Sequence, residues 1–453
     1  MSNEIRIDEL KRKIIKINSV SESFCTAKWL QTTLYLQNGY NHSCHHPSPH
    51  KIPVEEVNAD PAALHNSAYK KRIRKSMLEG ERPKECEYCW KIEDLNKDYF
   101  SDRYYKTSDY WAWNRFDEVK NSKAEDNIIP SYLEVSFSNV CNFKCSYCSP
   151  EISSKWMEEI EKFGPYPTEQ SNHNLEWLKQ SGRYPYKHSE NNPYVNAFWK
   201  YFPEIIDQLE VFRITGGEPL LSKDLWKVLE FLNTSSHPNL EIAINTNLCV
   251  EDKLIQKFID QIGKLEGKVK RVDIYTSLES TGEQAEYSRF GLDYKKWHEN
   301  IRTILNKTNV NVGIMTTINV LSLPTMNEFV DVIYELRKEF NITSAANRIP
   351  LSINYLRWPP HLSVNILPID IRTTYSESIS ANAEQYLKYN HNHEARLYLE
   401  EWDQIKRFCE YLTSEPQKDP AEFKKFINEY DKRRETDFLK TFPTYKEFWD
   451  TIK

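Results

Sequence analysis

No apolar run in the sequence reaches the ~18 residues needed to cross a bilayer, so no membrane span is expected. Met1 to Leu10 are charged and lack an apolar centre, so no secretory signal is expected, and a cytoplasmic location is the working expectation. An excess of one charge is missing too. Sixty Lys and Arg against 66 Asp and Glu leave a net charge of −6, which gives no general pull toward nucleic acid. There is no internal repeat and no low-complexity tract. With an odd count of nine cysteines and no export signal expected, a disulfide framework is a poor explanation for them.

What is present is a chain of 453 residues, 39% hydrophobic and 28% charged, which suits a globular protein of two or three units at roughly 150 residues each. Aromatic residues at 13% suit large binding surfaces without identifying one. One basic run, Lys70-Lys71-Arg72-Ile73-Arg74-Lys75, has two readings, a phosphate-binding patch or the solvated face of a helix.

Residues 1–130 form the first expected unit. It has a helix around Ile7 to Ile17 and a strand over Thr32–Leu36 closed by an Asn38-Gly39 turn. A helix capped at Asp60-Pro61 then runs toward Leu78 and is stopped by Gly80 and Pro83. From Tyr132 the rhythm changes to alternating strands and helices. The strands are Tyr132–Phe137, Val211–Thr215, Glu241–Asn245, Arg271–Ser277, Asn311–Thr317 and Ser352–Leu356. Helices over Ser222–Leu232, Lys253–Ile262, Tyr294–Leu305 and Met326–Phe340 fall between them. This is the pattern of an α/β protein with a parallel sheet, a partial (β/α)6 TIM-type barrel over 131–367 with its chemistry at the C-terminal strand ends. An insertion at 151–203, with a helix at each end of a polar loop, is either a lid or a surface elaboration. Residues 368–453 form a helical C-terminal extension, from Thr373 through Cys409 and from Pro420 to Asp431.

Seven cysteines crowd into the first third of the chain in two groups, which points to metal. Cys141, Cys145 and Cys148 follow the first barrel strand in a Cys-x3-Cys-x2-Cys spacing. Three thiolates converging on one centre leave a coordination position open, whereas a structural zinc site closes with four ligands. At the end of the second barrel strand stands Gly216-Gly217-Glu218-Pro219, where glycines admit a ligand close to the backbone.

These two motifs, in these strand positions, resemble the radical S-adenosylmethionine (SAM) superfamily. The resemblance implies a [4Fe–4S] cluster on Cys141, Cys145 and Cys148, with Tyr147 at the family's aromatic position. It also implies that SAM chelates the open iron and that Gly216–Pro219 meet its amino group, Glu218 contributing. Ser277 and Glu279 at the fourth strand's end, Arg289 as a fork for the methionine carboxylate, and Asn245, Asn247 and Asn319 at other strand ends are the looser correspondences; Glu279 is placed with the catalytic set. The implied chemistry is reductive cleavage of SAM to a 5′-deoxyadenosyl radical that abstracts hydrogen from a substrate, with electrons from a flavodoxin or ferredoxin type donor.

Cys25, Cys44, Cys86 and Cys89 form the second group. With His42, His45 and His46 nearby, zinc is one reading. The other is a second, auxiliary [4Fe–4S] cluster, since Phe24–Trp29, the Cys44 turn and Met77–Trp90 resemble the twitch module, a trimmed relative of the SPASM domain. Relatives with such modules often modify peptides or proteins, which makes a peptide or protein side chain the leading substrate expectation. A nucleotide, sugar or other small molecule is the alternative, and a non-catalytic electron-transfer or scaffold protein the reading outside enzymes. Cys249 and Cys409 are expected to be buried thiols.

Overall fold

The structure, a computed structural model, describes residues 3–95, 99–169, 173–341, 347–388 and 395–452, with side chains from residue 7 onward. Among these, no helix is long and apolar enough to cross a membrane.

Eleven strands are described: β1 Gln31–Tyr35, β2 Tyr40–His42, β3 His50–Lys51, β4 Tyr132–Ser136, β5 Lys144–Cys145, β6 Val211–Thr215, β7 His237–Thr246, β8 Val269–Ser277, β9 Arg289–Phe290, β10 Asn311–Met315 and β11 Leu351–Ser352. Nine share one sheet in the order β11-β10-β8-β7-β6-β4-β1-β2-β3, and β5 and β9 make a separate ribbon. From β4 to β11 every neighbour is parallel and each new strand is laid beside its predecessor. An order that never reverses is that of a partial (β/α)6 barrel; a doubly wound sheet would reverse at a switch point. The alternation explains the burial. Leu133, Val135, Phe212, Ile214, Ile242, Ile244, Ile274, Val312 and Ile314 face the helices and are buried. Tyr132, Glu134, Arg213, Thr215, Asn245, Tyr275 and Ser277 alternate with them and are only half-buried.

All six expected barrel strands are present, the sixth beginning one residue early and continued by an isolated parallel bridge between Ile318 and Tyr355. The helices fall where expected, as Lys223–Leu232, Asp252–Gly263, Tyr294–Lys307 and Met326–Phe340. The first unit differs in two ways. Its expected helix from Pro61 to Leu78 is interrupted at Ser67, which caps a second helix, Ala68–Leu78, by accepting from the Lys70 amide. Its strand β1 is not separate from the barrel, because it pairs parallel with β4 from Gln31 opposite Tyr132 to Tyr35 opposite Ser136. The β1–β2 hairpin turns at Gly39 (φ +70°), where a Cβ would fall within 2.0 Å of the Tyr194 ring.

The insertion carries three described helices, Ser154–Phe163, Leu175–Gln180 and Pro193–Ile205, where two were expected; 170–172 lie outside the described residues. The extension is helical at Ile369–Lys388, Leu399–Ser414 and Ala421–Arg434; the part of the expected Thr373–Cys409 helix at 389–394 lies outside the described residues. Neither reading of the basic run holds for two of its members. Lys70 and Arg74 point inward, 1% and 0% exposed, donating to the carbonyls of Gln31 and Lys28. The i, i+4 spacing puts them together on the helix's core face.

Candidate active site at the carboxyl ends of the strands

The chain leaves β4 through Ser138, Asn139 and Val140 and enters the cysteine loop. Inside it, β5 pairs antiparallel with β9, which sets Cys145 opposite Arg289. The loop is held at its backbone from several sides. Ser146 N–H donates to the Ser288 carbonyl at 2.7 Å, Ser153 Oγ to the Phe143 carbonyl at 2.7 Å and Trp156 Nε1 to the Cys145 carbonyl at 2.8 Å. His173 Nε2 lies 3.0 Å from the Cys148 carbonyl.

The Gly216-Gly217 turn packs directly on the entrance of this loop. A Cβ on Gly217 would stand 2.3 Å from the Val140 carbonyl oxygen, and Gly216 (φ +125°) would place one 2.9 Å from Ser136 Oγ. The glycines are therefore needed for contact between two loops. Together they border a cavity of about 240 Å³. Cys141, Cys145, Cys148 and Tyr147 line it together with Gly216, Gly217, Pro219, Asn245, Ser277 and Arg289, and Phe143 and Ile152 add apolar surface. Asn247, also expected at a strand end, lines it as well, as do Thr215, Thr246 and Thr317, which were absent from the expected set; a polar residue at the last position of a parallel strand is the signal that finds such residues.

Three expected residues do not line the cavity, and a fourth lines it in a different role. Glu218 is buried behind the turn, accepting from Leu220 N–H (3.0 Å), Thr246 Oγ1 (2.7 Å) and Asn247 N–H (2.6 Å). Burial pushes its carboxyl up to about 7 despite these donors. It ties the turn to the end of β7 rather than reaching an ammonium group. Asn319 is fully buried and closes its own loop, accepting from Leu321 N–H at 2.9 Å. Glu279, 1% exposed, faces Arg289, whose Nε and Nη2 donate to it at 3.0 and 2.6 Å; Tyr147 Oη donates at 3.1 Å. Arg289 thus has its fork on Glu279 instead of open for a carboxylate, and its remaining Nη1 lies 3.9 Å from Cys145 Sγ. Its cationic form is held in place by the buried Glu279 carboxylate, against the desolvation that opposes it.

Burial raises all three thiols, Cys148 to about 12, so free thiolates are disfavoured there without a cation to bind them. Three thiols lining one cavity fit a cluster that leaves one iron facing the cavity.

The other four cysteines also come together. Cys25, Cys44, Cys86 and Cys89 line a single small pocket with Met77, Trp90, Lys28 and Arg103. Lys28 and Arg103 are buried cations beside the thiols, paired with Glu85 and Glu93. His46 also lines the pocket, bonded to Asp102 at 2.6 Å and stacked on Tyr88. Among the described residues no three His, Cys, Asp or Glu side chains converge on a single-ion site. Cys249 and Cys409 are buried.

Fold and site together define a class: a partial barrel that presents three thiols and a glycine turn around one cavity at the carboxyl ends of its strands. Residues 135–333 match the family model described as the radical SAM superfamily. It is similar to a GTP 3′,8-cyclase of Sulfurimonas denitrificans, 25% identical over 213 residues that cover 46% of this chain and 53% of that protein. A GTP 3′,8-cyclase of Campylobacter lari is 26% identical over 208 residues, 45% of this chain and 50% of the relative. The chain spans about half the length of these curated relatives.

Proposed function

We propose that this protein is an enzyme that binds a [4Fe–4S] cluster through Cys141, Cys145 and Cys148 and SAM in the adjoining cavity, and that it removes hydrogen from a polar small molecule of the nucleotide class. The observation that carries the reading is the convergence of the three thiols and the Gly216-Gly217 turn on one cavity. When bound, cluster and SAM supply reductive cleavage to a 5′-deoxyadenosyl radical, with electrons from a flavodoxin or ferredoxin type donor. The chain's own residues do the positioning. Gly216 and Gly217 let the backbone meet the ligand, and Asn245, Asn247, Ser277 and Thr317 offer hydrogen bonds. The Arg289–Glu279 pair fixes Cys145 and Tyr147.

The substrate class departs from the peptide expectation for two reasons. The relatives' names specify a nucleotide, and the half-buried face of the sheet carries charged and polar side chains. Glu134 stands opposite Arg213 in register, and Arg213 bonds Asn245 at 3.2 Å and lies over the Tyr275 ring at 4.6 Å. Cys25, Cys44, Cys86 and Cys89 are proposed to hold a second, auxiliary cluster in a twitch-like module, supported by four thiols around one pocket with buried cations to offset thiolate charge.

The test is anaerobic reconstitution, iron and sulfide analysis, then 5′-deoxyadenosine formation with dithionite and SAM. Ribonucleoside triphosphates or peptides are added in parallel. About eight irons per chain, with cleavage stimulated by a nucleotide, is the expected result. Stimulation by peptides alone would overturn the substrate class, and absence of any cleavage the activity.

A further inference from the structure

The helix Ala421–Arg434 lies outside the residues that match the superfamily and carries no cysteine, yet its last residue reaches into the cysteine loop. The Arg434 side chain is fully buried. Its Nη1 donates to the Lys144 carbonyl at 2.6 Å, and its Nε and Nη2 donate to Glu159 at 3.1 Å each. Glu159 also accepts from Lys144 Nζ at 2.5 Å and Tyr166 Oη at 2.7 Å. The guanidinium lies over Trp156 at 4.7 Å, and Trp156 stacks on His173 with ring centres 4.4 Å apart. Trp156 and His173 are the side chains that meet the Cys145 and Cys148 carbonyls. One stacked assembly thus holds three carbonyls of the loop, at Lys144, Cys145 and Cys148.

We propose that Arg434 is a positioning residue for this loop and that the net positive charge it brings raises the reduction potential of the centre held by Cys141, Cys145 and Cys148. The inference rests on the reading that these thiols hold a cluster. Arg434 and Lys144 against Glu159 leave one positive charge in a buried assembly. Arg434 Nη1 donates to the carbonyl of Lys144, the residue before Cys145, which holds its charge beside that ligand. Adding an electron makes a cluster more negative, and a fixed cation nearby favours that state.

The experiment is an EPR-monitored redox titration of the reconstituted full-length protein, following the signal that changes on adding SAM. Arg434→Met removes the charge and is expected to lower the midpoint with iron content retained. Arg434→Lys restores the charge and is expected to recover most of the shift. Glu159→Gln adds net positive charge and is expected to move the midpoint up. Opposite signs for Arg434→Met and Glu159→Gln are what a merely structural role does not produce. An unchanged midpoint in both, or a fall in both, overturns the proposal. If Arg434→Met does not fold, the direction of the Glu159→Gln shift decides alone. A wild-type protein with no SAM-sensitive cluster signal overturns the cluster reading itself, and the inference with it.

Discussion

Gly217 is a position where one added carbon decides whether two loops can meet, since its Cβ would stand 2.3 Å from the Val140 backbone oxygen, far inside contact distance. Gly217→Ala is expected to weaken SAM binding at least about tenfold, a cost of ~1.4 kcal/mol or more, while iron content stays at the wild-type level. Equilibrium binding and iron analysis of the same sample check both halves. Glu218, one residue on, makes a prediction about pH. Its folded carboxyl titrates at about 7 against an ordinary value near 4.3, so between those values the folded protein holds a proton that the unfolded chain has released. Stability contributed at this site therefore falls as pH rises from about 4.3 to about 7 and is flat beyond, by up to about 4 kcal/mol. Urea melts between pH 5 and 8 check the slope, and Glu218→Gln is expected to flatten it. The Gly-Gly-Glu-Pro motif was legible in the sequence, but the aim of its carboxylate was not. Spacing places Glu218 at a strand end; the donors on Thr246 and Asn247 that draw it away from the cavity belong to another strand.

At the scale of elements, the β5–β9 ribbon couples the cysteine loop to the segment that follows β8. Cys145 sits in it opposite Arg289, whose charge is buried against Glu279 with side-chain exposures of 6% and 0%. Glu279→Ala would leave a buried guanidinium unpaired, and such losses cost roughly 3–5 kcal/mol. The expected outcome is a destabilisation of that size in urea melts, together with loss of 5′-deoxyadenosine formation as Tyr147 and Cys145 lose their support. Cys145→Ala is expected to abolish SAM cleavage with far less effect on stability of the apo protein, so comparing the two variants separates ligation from support. The barrel strands were legible because buried apolar residues alternate with polar ones at a period of two, and the helices between them carry apolar stripes. Where the first unit's helix breaks was not legible, because Ser67 acts as a cap only once the chain has turned there. The inward turn of Lys70 and Arg74 was hidden for a similar reason. Their partners are carbonyls of Gln31 and Lys28, about 40 residues upstream, and charge alone suggested solvent.

For the whole molecule, the main consequence lies in how the N-terminal 130 residues join the barrel. Read along the sequence they form a unit of their own, and they do have a separate core around Trp29, Met77, Trp90 and Trp111. The sheet, however, runs through the boundary. β1 covers the edge of β4 along its whole length, Ser131 N–H donates to the Leu30 carbonyl, and Leu36 N–H donates to the Ser136 carbonyl. From the far side, Tyr194 Oη donates to the Ile52 carbonyl and Asn192 Nδ2 to the Leu36 carbonyl, so the insertion clamps the same hairpin. Removing residues 1–130 would bare the edge of β4 beside the cysteine loop and leave Tyr194 and Asn192 without their acceptors, a template for aggregation. A 131–453 fragment is therefore expected to be aggregated or unfolded and to take up no cluster at all. Cys86→Ala leaves the sheet intact and is expected to lose only about four of roughly eight irons per chain while SAM still binds. Size-exclusion chromatography with iron analysis distinguishes the cases. A monomeric fragment that reconstitutes one cluster would mean that the β1–β4 pairing contributes little and that the barrel folds alone. Full iron in Cys86→Ala would remove the auxiliary cluster and leave the four N-terminal thiols a structural role.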